Sequence, residues 1–201
     1  MINTLKKLYE TNDLTKEEVV SILENLDAGY KRTLIQYAHQ TRLAYYGPKV
    51  FMRGLIEFSN YCKQDCLYCG LRASNKEVTR YRLTEEEIIA CCREGYMLGY
   101  RTFVLQSGED YTYTEKILIL IIQKIKRLFP EAALTLSIGE RDFEVYRNLY
   151  EAGADRFLLR HETASRELYE KLHPTMSYDS RRNCLQSLKT IGYQVGAGFM
   201  V

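Results

Sequence analysis

The hydrophobic positions of this chain follow two successive rhythms, and the change between them falls near residue 48. Before it, apolar residues recur at helical spacing. Thr15-Lys16-Glu17-Glu18 has the form of a capping box, and Val19, Ile22, Leu23 and Leu26 follow on one helical face. A second helix is predicted from Arg32 to Tyr45, with Gly47-Pro48 as its stop signal. Two or three short helices over residues 1–48 thus form an N-terminal helical extension to a domain over residues 49–201.

From Val50 onward, short β-type runs alternate with amphipathic helices. The predicted strands are Val50–Phe58, Thr102–Ser107, Ala133–Ile138, Arg156–Arg160 and Gln194–Val201. Between them lie a helix opened by the capping box Thr84-Glu85-Glu86-Glu87, with Ile88, Cys92 and Tyr96 on one face, and helices over Thr114–Leu128, Asp142–Glu151, Arg166–Leu172 and Arg181–Ile191. Strands alternating with helices imply an α/β fold with parallel strands and right-handed crossovers, either an open doubly wound sheet or part of a (β/α) barrel. Polar groups collect where the strands end: Ser59-Asn60, Gln106-Ser107-Gly108-Glu109, Ser137 with Gly139-Glu140, and Arg160-His161-Glu162. In either architecture these positions share the C-terminal rim, where ligands bind.

Composition narrows the function. The 201 residues include 28 lysines and arginines against 26 acidic residues, a net charge of +2 that offers no basic field for nucleic acid or an anionic membrane. The first residues turn polar at once, and the longest apolar run, Ile117 to Ile122, is far short of the roughly 20 residues that span a bilayer. A cytoplasmic protein acting on a small molecule or another protein is expected. In a reducing compartment the six cysteines read as metal ligands, catalytic groups or core residues rather than disulfides.

Three of the six are clustered. Cys62-Lys63-Gln64-Asp65-Cys66-Leu67-Tyr68-Cys69 puts three thiols on one loop, and no fourth cysteine or histidine stands at short spacing to complete a structural zinc site. Three thiolates on a four-iron cluster leave one iron without a protein ligand, open to a substrate or cosubstrate. Cys91, Cys92 and Cys184 fall within predicted helices; Cys92 shares an apolar face and is expected to pack as a small hydrophobe, and Cys184 takes the same default. His161 stands at the rim, as a ligand contact or a hydrogen-bonded structural residue; His39 and His173 receive no role. The tyrosines read mostly as core or rim residues with a polar tip.

Cys62, Cys66, Tyr68 and Cys69 match the pattern Cys-x-x-x-Cys-x-aromatic-Cys, and in this the chain resembles the radical S-adenosylmethionine superfamily. The similarity runs on through Ile56–Asn60, Tyr68–Arg72, Arg80–Arg82, Leu105–Asp110, Leu136–Glu140, Ala152–Arg156, Leu159–Thr163 and Gly196–Val201. These segments look like the HydE-type maturases of iron-only (FeFe) hydrogenase, with methylornithine synthase and biotin synthase as related branches. The resemblance implies a TIM-type (β/α) radical SAM barrel holding one 4Fe-4S cluster. S-adenosyl-L-methionine would chelate the open iron through its amino and carboxylate groups, and one electron from the reduced cluster would release methionine and a 5′-deoxyadenosyl radical.

Position by position, the resemblance makes Cys62, Cys66 and Cys69 the cluster ligands. Tyr68, Gly108, Glu109, Arg160, Glu162 and Arg181 become the cosubstrate site, and Ser137 and Glu140 face the substrate. Charge logic agrees, because a carboxylate at Glu162 suits an ammonium and the Arg181 guanidinium suits a carboxylate. An ordinary surface ion pair is the alternative for Arg181. The implied function is assembly of the two-iron subcluster of the hydrogenase from an organometallic iron precursor, with other hydrogenase maturases and a reductant such as ferredoxin or flavodoxin as partners. The alternatives are a methylornithine-synthase-like or biotin-synthase-like enzyme and, from another class, a noncatalytic protein binding metal or a partner through the same loop. About five strands are counted where a closed barrel of this type has eight, so a partial barrel, truncated at its C-terminus and inactive or poorly soluble by itself, is expected.

Overall fold

The computed structural model describes residues 2–201, and their contacts divide the chain into one compact unit ending at Phe51 and another beginning at Met52. The first unit contains α1 (Ile2–Thr11), α2 (Lys16–Glu24) and α3 (Ala28–Tyr46). The expected capping box is present: Thr15 Oγ1 accepts from Glu18 N, and the Glu18 carboxylate answers Thr15 N. A small core of Leu5, Ile22 and Tyr30 joins the three helices. Of the stripe predicted on α2, only Ile22 is buried; Val19, Leu23 and Leu26 remain exposed. α3 starts four residues before the expected Arg32, because Asp27 accepts from Tyr30 N at 2.7 Å and so caps the helix earlier.

The second unit is built on five parallel strands, β1 (Gly54–Ser59), β2 (Thr102–Ser107), β3 (Ala133–Ser137), β4 (Arg156–Leu158) and β5 (Gln194–Gly196), in the spatial order 1-2-3-4-5. A doubly wound sheet reverses its strand order at a switch point, and this order never reverses, so the barrel-type arrangement is the one adopted. The connections carry α4 (Glu85–Met97), α5 (Glu115–Leu128), α6 (Phe143–Glu151), α7 (Arg166–Leu172) and α8 (Tyr178–Ile191). Alternate strand residues Ile56, Phe58, Phe103, Leu105, Leu134, Leu136 and Phe157 are buried with Ile88, Cys92, Ile121, Ile122, Tyr146 and Leu188 of the helices. Each such fully buried large apolar side chain contributes about 1.5–3 kcal/mol relative to exposure.

Strand lengths depart from the sequence expectation at both edges. Val50 to Arg53 were expected to open the first strand, yet its ladder begins at Gly54, paired with Phe103, and Val50, Phe51 and Met52 lie exposed outside it. The last strand, expected to run to Val201, stops at Gly196 because its partner β4 offers only Arg156, Phe157 and Leu158. A single bridge between Glu162 and Phe199 follows. Among the described residues no helix is long and apolar enough to cross a membrane.

Candidate functional site

The C-terminal rim starts at an irregularity. The β1–β2 register shifts between Glu57 and Ser59, turning the chain into the cysteine-bearing loop. Ser59 Oγ donates to Asp110 Oδ2 at 2.6 Å, and Arg82 pairs with the same carboxylate at 2.6 Å while its guanidinium covers the Tyr61 ring at 3.6 Å. Arg80 holds the loop from behind, donating to the carbonyls of Leu71, Arg72 and Asn75 at 2.9–3.1 Å and to that of Asn60. A guanidinium has the fixed fan of donors to gather several carbonyls at once.

Loop and β2 meet backbone to backbone at Gly108. A Cβ at that position would stand 2.3 Å from Tyr61 O and 2.6 Å from Cys62 Cβ, so only glycine permits the approach. Glu109 then donates its N–H to Cys62 Sγ at 3.3 Å and accepts from Lys63 N at 3.2 Å. Its buried carboxylate accepts from Gln64 Nε2 at 2.7 Å and Glu140 N at 2.9 Å. Gly139, at φ +73°, gives that carboxylate room, since a Cβ there would lie 2.1 Å from Glu109 Cγ.

All three clustered thiols are half-buried on this loop. Cys62 Sγ also accepts from Gln64 N at 3.4 Å, and Cys69 Sγ from Leu71 N at 3.4 Å. Burial pushes the Cys62 and Cys66 thiols up, the latter to about 11, so stable thiolates here call for a cation. No three His, Cys, Asp or Glu side chains among the described residues close on a single metal ion. A four-iron cluster presents a separate iron to each thiolate and so fits a wider triad, and backbone N–H groups directed at sulfur are the second-sphere contacts of such a centre.

Behind Cys66 lies a pocket of buried charge. Met176 Sδ stands 3.9 Å from Cys66 Sγ and 3.8 Å from Arg181 Nη2. Arg181, on the first turns of α8, is almost fully buried; it donates to Glu140 Oε1 at 2.8 Å and to Arg160 O at 2.5 Å, while Nη2 faces the thioether, a weak acceptor. Glu162 is buried with a left-handed backbone, φ +66°, a conformation that costs a non-glycine residue about 1–3 kcal/mol and gathers at functional sites. Its Oε2 has no hydrogen-bond partner, although Arg160 Nη2 lies 3.3 Å away, at ion-pair distance without hydrogen-bond alignment.

The structure thus brings Cys62, Cys66, Cys69, Gly108, Glu109, Glu140, Glu162 and Arg181 to one rim, with Ser137 closing β3 at the same level. Glu140, expected to face a substrate, is engaged by Arg181 and by Ser180 Oγ at 2.6 Å. Arg160 contacts Arg181 through its carbonyl, and its own guanidinium is half-exposed. Cys91 is exposed, Cys92 is fully buried in the core, and Cys184 packs against that core. His161 Nδ1 donates to Thr163 O at 2.6 Å, a structural turn.

Sequence reasoning gave His173 no role and named Arg80 only within the matching segment Arg80–Arg82, without a part in the site. His173 is buried at the C-terminal end of α7 and meets Tyr68 Oη through Nε2 at 2.9 Å. Pro174, directly after the helix end, is the turn signal that could have drawn attention to this stretch.

A family model described as the Radical SAM superfamily matches residues 56–201. The FeFe-hydrogenase maturase subunit HydE of Thermotoga maritima is 46% identical over 197 residues, covering 98% of this chain and 56% of that protein. The 3-methylornithine synthase of Methanosarcina acetivorans is 32% identical over 199 residues, covering 97% and 56%. The crystal structure of methylornithine synthase (PylB) superposes with a TM-score of 0.88 at 31% identity, over 98% of this chain and 58% of that one. The chain spans little more than half the length of the curated relatives it matches.

Proposed function

The chain belongs to the radical S-adenosylmethionine superfamily, with that family's TIM-type (β/α) fold, and from this premise we propose that Cys62, Cys66 and Cys69 hold a 4Fe-4S cluster at which S-adenosylmethionine is reductively cleaved. The observation that carries the reading is a pair of incompletely satisfied buried charges of opposite sign in the pocket behind Cys66, Glu162 Oε2 without a hydrogen-bond partner among the described residues and the Arg181 Nη2 that faces a thioether sulfur. An α-amino acid is complementary to them, its ammonium to Glu162 and its carboxylate to Arg181. When bound, cluster and cosubstrate supply the electron transfer and bond cleavage that no side chain performs.

The chain's own residues bind and orient. Arg80 and Gly108 set the position of the cysteine loop, Glu140 aligns the Arg181 guanidinium, and Tyr68 flanks the cosubstrate from the loop. Ser137 faces the substrate from the end of β3. Anaerobic reconstitution and reduction with S-adenosylmethionine present is the test. Formation of 5′-deoxyadenosine supports the reading; a full cluster without product returns the chain to the noncatalytic metal-binding class.

At the level of the whole protein, the activity we infer is that of a HydE-type maturase, working on an organometallic or small-molecule iron precursor with other hydrogenase maturases and a ferredoxin or flavodoxin reductant. The 46% identity to the HydE subunit against 32% to 3-methylornithine synthase supports this order. A methylornithine-synthase-like enzyme is the second reading, favoured by the structural superposition. Restoration of hydrogenase maturation in cells lacking HydE separates the two.

A further inference from the structure

One buried hydroxyl within electrostatic reach of the charged pocket has no hydrogen-bond partner among the described residues. Tyr169, on α7, is fully buried, and its Oη joins Glu162 Oε2 as a buried side-chain polar atom without a hydrogen-bond partner among the described residues. Other buried tyrosines are different: Tyr113, Tyr146 and Tyr193 place their hydroxyls on the carbonyls of Phe58, Gly139 and Tyr146 at 2.9–3.2 Å. An unpaired buried hydroxyl forfeits its water contacts for nothing, which makes it rare unless a ligand completes it.

The ring cannot turn its hydroxyl elsewhere. It stacks on His173 at 4.0 Å and 22°, and the rings of Tyr178 and His161 close on it at 5.6 and 5.7 Å. Because the C–O bond of a phenol lies along the ring axis, a fixed ring fixes the hydroxyl. Besides His173, His161 and Tyr178, the charged and titratable groups that act on it most strongly are Arg181, Glu140, Cys66 and Glu109. Burial keeps the phenol neutral, with its pKa raised to about 12, and therefore able to donate. Glu140 already accepts from Arg181 and Ser180, and Glu109 from Gln64 and the backbone N–H of Glu140.

We propose that Tyr169 is a ligand-binding residue whose hydroxyl donates to the carboxylate held by Arg181, completing recognition of the amino-acid end of S-adenosylmethionine. The inference rests on the cosubstrate reading of Glu162 and Arg181. It assigns the anionic end because, of the charged groups that act on the hydroxyl, the Arg181 cation acts most strongly, while the ammonium is met by Glu162. α7 thereby becomes part of the cosubstrate site, although nothing in the cysteine motif or the rim pattern includes it.

Tyr169→Phe removes one oxygen and leaves the ring. In the anaerobically reconstituted chain, calorimetric titration is expected to show affinity for S-adenosylmethionine and for free methionine reduced roughly tenfold, the worth of one hydrogen bond to a charged group, with affinity for 5′-deoxyadenosine and iron content unchanged. The ligand-free variant should melt at the wild-type temperature or above, because an orphan is deleted, whereas Tyr193→Phe, which loses a paired buried hydroxyl, should melt lower. Equal affinity of Tyr169→Phe and wild type for S-adenosylmethionine would overturn the inference alone. So would a loss of melting temperature matching that of Tyr193→Phe, since the hydroxyl would then have a protein partner. If the wild-type cluster form fails to bind S-adenosylmethionine at all, the cosubstrate reading falls and this inference with it.

Discussion

Tyr68 Oη, on the cysteine loop, lies 2.9 Å from Nε2 of His173, 105 residues further along the chain. His173 Nδ1 faces the carbonyl of Tyr169 at 2.8 Å and must donate there, so Nε2 is the acceptor of a neutral ring and Tyr68 the donor. The aromatic residue of the cysteine motif is thus tied to α7 by a hydrogen bond of fixed polarity.

This bond predicts a coupled pair. Tyr68→Phe leaves a buried imidazole nitrogen unpaired and is expected to lower the unfolding free energy by about 1 kcal/mol. His173→Phe removes the acceptor, and the double variant should lose less than the sum of the two, with a coupling of about 1 kcal/mol. Urea unfolding of the four proteins measures the cycle. Strict additivity would mean that the two side chains do not interact in solution.

The same histidine gives a pH dependence with a definite sign. Burial holds the His173 pKa below its ordinary 6.5. The unfolded chain therefore takes up the proton first. Its contribution to stability is complete above about pH 6.5 and is lost as the pH falls below that value. Comparing urea midpoints across this range, His173→Phe should show a shallower decline than wild type. Identical slopes would refute the assignment.

At Gly108 the prediction is steric. Alanine would set its Cβ 2.3 Å from the carbonyl oxygen of Tyr61, a backbone atom that can move only with the cysteine loop, so about 1–3 kcal/mol of stability and much of the bound iron should be lost. Gly70→Ala, on the same loop with no atom within 4 Å of its added methyl, should keep both. Melting temperature and iron per chain after reconstitution report the contrast.

Cysteine replacements should sort by place rather than by type. Alanine at Cys62, Cys66 or Cys69 is expected to abolish the cluster, because thiolates are its protein anchors. Alanine at exposed Cys91 should change nothing measurable, while Cys92→Ala, at 0% exposure in the core, should keep its iron and lose about 1 kcal/mol of stability. Iron content and visible absorbance decide it; a full cluster in Cys66→Ala would overturn the ligand assignment.

What the sequence determined by itself was local. The capping boxes Thr15/Glu18 and Thr84/Glu87 formed as written, because each closes within four residues whatever the rest of the chain does. The alternation of five strands with helices, the cysteine triad and the polar residues at strand ends were legible for the same reason: periodicity and spacing are properties of short segments. Tertiary structure decided whatever depends on which segments become neighbours. It chose the unreversed strand order and stopped β5 at Gly196 for want of a longer partner strand. It gave Glu140 to Arg181, 41 positions away, and joined His173 to Tyr68. It also left the hydroxyl of Tyr169 and one oxygen of Glu162 buried without hydrogen-bond partners among the described residues. A buried polar group is satisfied or orphaned only by what packs around it, and no spacing along the chain encodes that.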